Sequence, residues 1–359
     1  MVSASAEELR REAIGGAVRF LAGRLPASGI VPATVVDRAG ERRDETVFAT
    51  ALTLPALAAG LLEPFDSLAA VPALQSFRAA AGRFLAAEEG PTGLWKFWPR
   101  GHPRAAGIPH DLDDSACAGA ALADLEGPDP TRRRAEAVLR ALSGPGERAG
   151  GARTWLVPRS FAGCWLGPLS RNRRFRSAGH PFWNRSEAAI DDVDAGANAN
   201  LLLLLAQGGS RPSRLVEQVT DWLCRVVARG EEGTADRWYG DAAMVRYLVA
   251  RAFAGGCEAL GPALATLRER TESELAATLA SGSDLACATA LATAVRIGAE
   301  PGIVLALGER LVARQDADGG FERCPVWYGG PRRTVNWGSR EVTTLFALEA
   351  LLLRRVTDS

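Results

Sequence analysis

The stretch Asp111-Leu112-Asp113-Asp114-Ser115 sets three carboxylates within four positions at the entrance of an Ala/Leu-rich run. If that helix start is buried, mutual repulsion and desolvation keep at least one carboxyl protonated near neutral pH, and it becomes an acid. The commoner fate of such a cluster is capping, with Asp111 accepting from first-turn amides and its neighbours complementing the helix dipole. On these five residues alone, capping is favoured. A second cluster, Asp191-Asp192-Val193-Asp194, runs into Asn198 and Asn200. Paired acids can hold Mg²⁺ against a diphosphate, but capping with a polar pocket at Asp192, Asn198 and Asn200 serves this short spacing equally well. Asp241 and Asp284 carry the same two readings, pocket or cap. A basic run, Arg171, Arg173, Arg174 and Arg176, reads either as a solvated loop or as a clamp for a diphosphate or carboxylate head, assisted by Lys96.

These residues must be positioned by something, and the hydrophobic pattern says what. Amphipathic helices are expected over 5–25, 65–88, 130–143, 212–229, 258–280 and 302–315. Between them fall nearly all-apolar helices, over 45–62, 111–125, 190–207, 239–255, 283–297 and 338–354. A helix apolar on every side must be buried on most sides, whereas an amphipathic one faces water. Strict alternation of six and six therefore implies an inner and an outer ring, an α6/α6 barrel spanning 1–359 as one all-α domain. Connections leaving inner helices are short, and those entering them are mostly long, about 26–44, 89–110, 146–189 and 316–337, the first with room for a short hairpin. The long loops then share one end of the barrel with the inner-helix N-termini, including Asp111, and long loops on a rigid scaffold are where binding and catalysis concentrate.

Aromatic residues follow the same geography. Trp95, Trp98, Trp155, Trp165, Trp183, Trp238, Trp327 and Trp337 lie in the entering loops or at their junctions, with Phe97 and Tyr239 beside them, and only Trp222 sits within a helix. They either plug the barrel mouth or wall a cavity. An aromatic-walled cavity with a protonated carboxyl at its rim can protonate an alkene and hold the resulting carbocation against ring faces, most effectively when water is excluded.

Composition narrows the classes. Hydrophobic residues make up 47% of the 359, ample for a large core, and acids and bases balance at 42 each, so no global field steers the chain toward nucleic acid. The six cysteines form no CxxC pair and the three histidines no zinc-ligand pattern. With neither a signal peptide nor a run of 18 apolar residues, a cytoplasmic protein is expected, with at most peripheral membrane contact.

Asp111-Leu112-Asp113-Asp114-Ser115 resembles the Asp-x-Asp-Asp-Thr/Ser signature of the class II terpene cyclases, the squalene-hopene cyclase superfamily. Gly93-Leu94-Trp95-Lys96-Phe97-Trp98 and Pro109-His110 are similar to the approach to that signature in bacterial members. Gln315-Asp316-Ala317-Asp318-Gly319-Gly320-Phe321 resembles the QW repeat, with Phe for Trp, and Gly338-Ser339 followed by 343–348 resembles the helix after it. Length allows one barrel, so the chain looks most like the single-domain bacterial cyclases that fold the prenyl tail of a meroterpenoid.

The resemblance implies an acid-initiated cyclisation of a farnesyl or geranylgeranyl tail, with Asp113 as proton donor, Asp111 and Asp114 as its supports, and Ser115 keeping the signature's hydroxyl. The group that hydrogen-bonds the acid is not given by the spacing; adjacent His110 is the candidate. Trp95, Phe97, Trp98, Trp165, Trp183, Trp238, Tyr239, Trp327 and Trp337 would line the cavity. No cofactor is needed for protonation, and Mg²⁺ would enter only with a diphosphate-bearing substrate. Cyclisation of a free prenyl diphosphate, a non-catalytic isoprenoid-binding barrel, a carbohydrate-processing enzyme of the same architecture and a zinc-dependent prenyltransferase barrel are the alternatives, the last two disfavoured by the apolar inner helices and by the lack of a ligand set.

Overall fold

In the computed structural model of the chain, which describes residues 4–65, 67–142, 150–156, 186–210 and 213–353, apolar and amphipathic helices alternate as their patterns require. The inner helices are α2 (Val47–Thr53), α5 (Leu112–Glu126), α7 (Ala195–Gln207), α9 (Ala242–Ala254), α12 (Asp284–Arg296) and α14 (Arg340–Leu353). Each packs against the next, and α14 returns to α2, closing the ring. The apolar run of α7 shows why: every residue from Ala195 to Leu205 is buried. Outside lie α1 (Ala4–Arg24), α4 (Val71–Glu88), α6 (Pro128–Leu142), α8 (Arg214–Arg229) and α13 (Pro301–Ala313).

Three helices are shorter or more broken than their patterns imply, and proline explains two of them. The apolar run over 45–62 continues past α2 as a 3-10 turn containing Pro55, then bends by 48° into the single turn α3 (Ala59–Leu62). The run over 258–280 starts as a 3-10 segment holding Pro262, followed by α10 (Leu264–Ser273) and α11 (Leu275–Ser281). Helix α7 begins at Ala195 rather than 190, because the acids before it are used in loop structure: the Asp192 carboxylate accepts from Ala189 N and Asp194 is extended. Among the described residues no single helix is long and apolar enough to cross a membrane.

The all-α barrel carries one small sheet at its long-loop end. Strands β1 (Thr34–Asp37), β2 (Gly40–Arg43), β3 (Trp327–Gly329) and β4 (Val335–Gly338) form antiparallel order β2-β1-β4-β3. Pairing sets Trp327 opposite Trp337 and Val35 against Trp337, which fastens the first and last long loops together over the barrel mouth. The ring is also sewn through the QW-like segment. Gln315 Nε2 donates to Ala13 O at 2.8 Å and Gly319 O at 2.9 Å. Gly319 has φ +86°, and a Cβ there would sit 2.3 Å from Gly16 O, so both backbone conformation and space demand glycine. Cys117, Cys224, Cys257, Cys287 and Cys324 are free thiols.

Candidate active site

Asp111 opens α5 in the extended conformation, φ −128° and ψ 166°, and its carboxylate accepts from Asp114 N at 2.7 Å. Its main chain is held by a short bridge to the 150–156 loop, with Leu112 N donating to Thr154 O and Leu156 N to His110 O. Capping and burial are thus both realised. Asp111 and Asp114 are 7% and 2% exposed, while Asp113 is half-buried, so the middle carboxyl is the most accessible of the three.

All three face a cavity of about 570 Å³. Of the aromatics expected from the sequence, Phe97, Trp98, Trp238, Tyr239, Trp327 and Trp337 line it. Phe48, Trp155 and Tyr328 join them, giving a wall rich in aromatic rings that meet edge to face: Phe97 lies 5.0 Å from Trp98 and 5.4 Å from Trp337, and Trp155 lies 5.5 Å from Trp238. Arg104 is the one cationic side chain among the described residues of the lining, and it is exposed, so it marks the mouth.

Two close side-chain contacts hold the Asp113 carboxyl, and the Cys117 thiol lies 4.0 Å from Oδ1. Asn200 Nδ2 donates to Oδ1 at 2.6 Å, and the Tyr239 hydroxyl lies 2.8 Å from Oδ2. The Asn200 amide is oriented from behind, because its Oδ1 accepts from Arg251 Nη2 at 2.5 Å and a guanidinium can only donate. Arg251 is itself buried, with its guanidinium over the Tyr247 ring; Tyr247 donates to Glu349 at 2.7 Å, and Arg296 pairs with the same carboxylate at 2.5 Å. A charged network therefore runs through the inner helices beneath the acid.

Burial is the main influence on Asp113 and pushes its carboxyl up to about 7; the Asn200 hydrogen bond opposes this, the neighbouring Asp111 charge adds to it, and Tyr239 and Arg251 oppose it. Asp114 is driven well above the carboxylate range by burial and then by Asp111, and as the protonated partner it shares a hydrogen bond with Asp111. The Asp114 Oδ2 atom, buried without a partner if ionised, is explained by that proton.

Tyr239 is aimed by a hub that the sequence does not advertise. The Asp236 carboxylate accepts from Gly196 N at 2.7 Å, Trp238 N at 2.8 Å and Tyr239 N at 2.9 Å, tying the 236–239 loop to the start of α7. A Cβ on Gly196 would lie 2.3 Å from the Tyr239 ring, so the phenol reaches Asp113 across a bare backbone. Asp194 accepts from Thr154 at 2.6 Å, from Trp238 Nε1 at 3.1 Å and from Arg237 N at 2.9 Å. Burial, then their mutual repulsion, raises the Asp194 carboxyl, and burial raises that of Asp236.

Other residues singled out from the sequence sit elsewhere. Trp95 is fully buried, with Nε1 donating to Leu85 O at 2.8 Å and Arg134 over its ring, so it belongs to the core and not to the cavity wall. Ser115 accepts from Trp95 N at 3.1 Å, a tie between loop and helix. Lys96 Nζ donates to Ala105 O at 3.0 Å and does not line the cavity. His110 is pushed down by burial and then by Lys96, and Asp113 is instead bonded by Asn200, by Tyr239 and, at 4.0 Å, by the Cys117 thiol. Asn198 stitches α7 to Ala152 through both its amide atoms. Asp241 is an exposed cap on Ala243 N, and Asp284 is a buried tie to Arg314 and Glu322 N, so neither forms part of the lining. Asp192 lines a second, polar cavity of about 570 Å³ that shares Trp238 with the first and also holds Arg237, Arg332 and Arg333. Trp165, Trp183, Arg171, Arg173, Arg174 and Arg176 lie outside the described residues. No group of three or more His, Cys, Asp or Glu residues suited to a metal ion occurs among the described residues.

No protein-family model matches the sequence, and no curated protein does. Solved structures do. A protein from Actinoplanes superposes with a TM-score of 0.66 at 20% identity, covering 96% of this chain and 99% of that one. An arginine-to-alanine variant of type II terpene cyclase MstE from Scytonema, in complex with its substrate geranylgeranyl dihydroxybenzoate, gives 0.64 at 16% identity over 98% of both chains. An unsaturated glucuronyl hydrolase specific for heparin gives 0.54 at 10% identity over 98% of both. The fold is therefore that of the terpene cyclase α/α barrels, and it is shared by a carbohydrate enzyme, so the chemistry has to be read from the cavity.

Proposed function

We propose that the chain is a class II terpene cyclase, protonating a terminal alkene of a linear prenyl tail and guiding the resulting cation through ring closure. The observation that carries this reading is the Asp113 carboxyl, pushed up to about 7 and opening onto an aromatic-walled cavity. A glycosidase of this architecture needs two carboxyl groups on opposite sides of the scissile bond; here three acids crowd the start of α5, the fourth carboxyl of the lining, Asp37, is engaged by Arg42 at 2.7 Å, and nine aromatic rings share the walls.

The geometry suggests how each group acts. Asn200 donates to Oδ1, so the acidic proton belongs on Oδ2, the oxygen beside Tyr239. Transfer of that proton to the alkene leaves a carboxylate already facing an amide N–H and a phenol, both preorganised for negative charge. The cation formed at the same moment meets ring faces, where each good cation–π contact is worth on the order of 1–2 kcal/mol. Asp111 keeps Asp113 protonated by its own charge, and Asp114 holds the reserve proton next to it. Arg104 at the mouth suits an anionic head group, with the tail reaching down toward Asp113, and no metal is required for the protonation step.

The test is a panel of farnesyl and geranylgeranyl substrates, as free diphosphates and on aromatic heads, run in deuterated water with products identified by NMR. Cyclic products carrying one solvent deuteron, formed without release of pyrophosphate and lost in Asp113→Asn, are expected. Turnover retained by Asp113→Asn would refute the assignment, and pyrophosphate release would point to ionisation of a diphosphate instead.

A further inference from the structure

Behind the wall of the cavity, and outside its lining, lies a buried carboxylate on which three ring N–H groups converge. Asp44, 6% exposed, accepts from Trp337 Nε1 at 2.7 Å, from Trp98 Nε1 at 3.2 Å and from His102 Nε2 at 3.1 Å. The donors come from two separate segments: the loop before α5 supplies two, and β4 supplies the third. The His102 ring stacks on Trp98, centroids 5.2 Å apart and planes 7° apart, and its Nδ1 accepts from Arg104 N at 3.2 Å. With Nδ1 an acceptor, the imidazole proton sits on Nε2, so His102 is assigned as a donor to Asp44. The carboxylate is itself placed by its backbone, Asp44 N donating to Ala33 O at 2.9 Å between β2 and the Thr46 cap of α2.

We propose that Asp44 is a positioning residue for the cation-holding wall: through the indole N–H groups of Trp98 and Trp337 it fixes both ring planes and makes their cavity faces more electron-rich. The inference rests on the cyclase reading for its use, but not for its physics. An N–H donated to an anion pushes electron density back into the ring, and a buried negative charge acts over several ångströms in a low dielectric. Tryptophan is the ring that gains most in binding a cation. Phe97, edge-on to both indoles, is held in register by the same anchor. In this arrangement the negative charge that favours a carbocation sits where the cation cannot lose a proton to it directly, unlike the carboxylate left on Asp113.

The experiment compares decyltrimethylammonium with decan-1-ol as calorimetric probes of the cavity, in the Asp113→Asn background so that the acid supplies no charge. Adding Asp44→Asn is expected to weaken the ammonium probe about tenfold while changing the alcohol by less than about twofold. Equal changes for both probes, or none for either, would overturn the assignment, because a purely structural anchor does not distinguish charge. In the otherwise wild-type enzyme, Asp44→Asn is expected to shift products toward fewer rings while each still carries a solvent deuteron. An unchanged product pattern would also count against Asp44. If the wild type makes no cyclic product yet its ammonium preference depends on Asp44, the cyclase reading falls and the Asp44 assignment stands. Should Asp44→Asn not fold, nitrogen-15 spectra of the wild type decide: indole N–H signals of Trp98 and Trp337, assigned by Trp→Phe substitution, are expected well downfield, and ordinary positions would overturn the proposal.

Discussion

Removing the acid is expected to stabilise the protein above neutral pH. The folded chain binds the Asp113 proton more tightly than the unfolded chain does, since its carboxyl lies at about 7 rather than 3.8. The unfolded state therefore releases this proton first, and folding stability is full below the unfolded value and lost as pH rises through the folded one. At roughly 1.4 kcal/mol per pH unit, the native state gives up about 4 kcal/mol by about pH 8, about 2 kcal/mol at about pH 5, and almost nothing near about pH 3. Asp113→Asn cannot ionise and keeps an oxygen to accept from Asn200, so it escapes this loss. Urea denaturation of both proteins across that range measures the difference, in which titrating groups remote from Asp113 cancel. The variant should gain on the wild type progressively with pH while making no product. An Asp113→Asn protein that is less stable at about pH 8, or whose advantage does not grow with pH, would refute the claim that a carboxyl is held protonated there by burial.

Further outcomes follow from the groups around the acid. The Tyr239 hydrogen bond lowers the Asp113 value, so Tyr239→Phe should move the alkaline limb of the rate profile upward in pH while slowing the reaction on the order of 10²-fold; a limb that stays or falls contradicts the contact. Gly196→Ala would place a methyl 2.3 Å from the Tyr239 ring, and a comparable loss of rate is expected with about 1–3 kcal/mol of destabilisation in urea titrations. Unchanged activity there would mean the ring does not need its present position. Arg104→Ala should raise KM about tenfold for a carboxylate-headed substrate, leaving kcat and neutral-headed substrates unaffected; a fall in kcat alone would remove Arg104 from head-group binding.

Particular residues show where sequence reasoning reached its limit. Asp111, Asp113 and Asp114 were legible because three acids at one helix start are conspicuous and because the helix is apolar enough to be buried. Asn200 was legible only as a polar residue on an apolar face; that its amide meets Asp113 is a contact between positions 87 apart. Tyr239 reads from the sequence as wall and not as the acid's partner, since its reach depends on Gly196 and the Asp236 hub. Trp95 had the right type and neighbourhood for the cavity, yet one step along a loop turned it inward to the core. Asp44 carried no signal at all, being one acid after a basic hairpin, and only the meeting of three distant segments gives it partners.

The sequence by itself determined the ring of helices, the end at which the loops gather and the turn that carries the acids, because periodicity and burial are local consequences of side-chain chemistry. Only the tertiary structure decided the sheet that closes the mouth, which carboxyl is reachable, what holds it and how the aromatic wall is anchored. Those features depend on hydrogen bonds and ring contacts between residues tens to hundreds of positions apart. No one-dimensional spacing encodes the direction in which a side chain finally points.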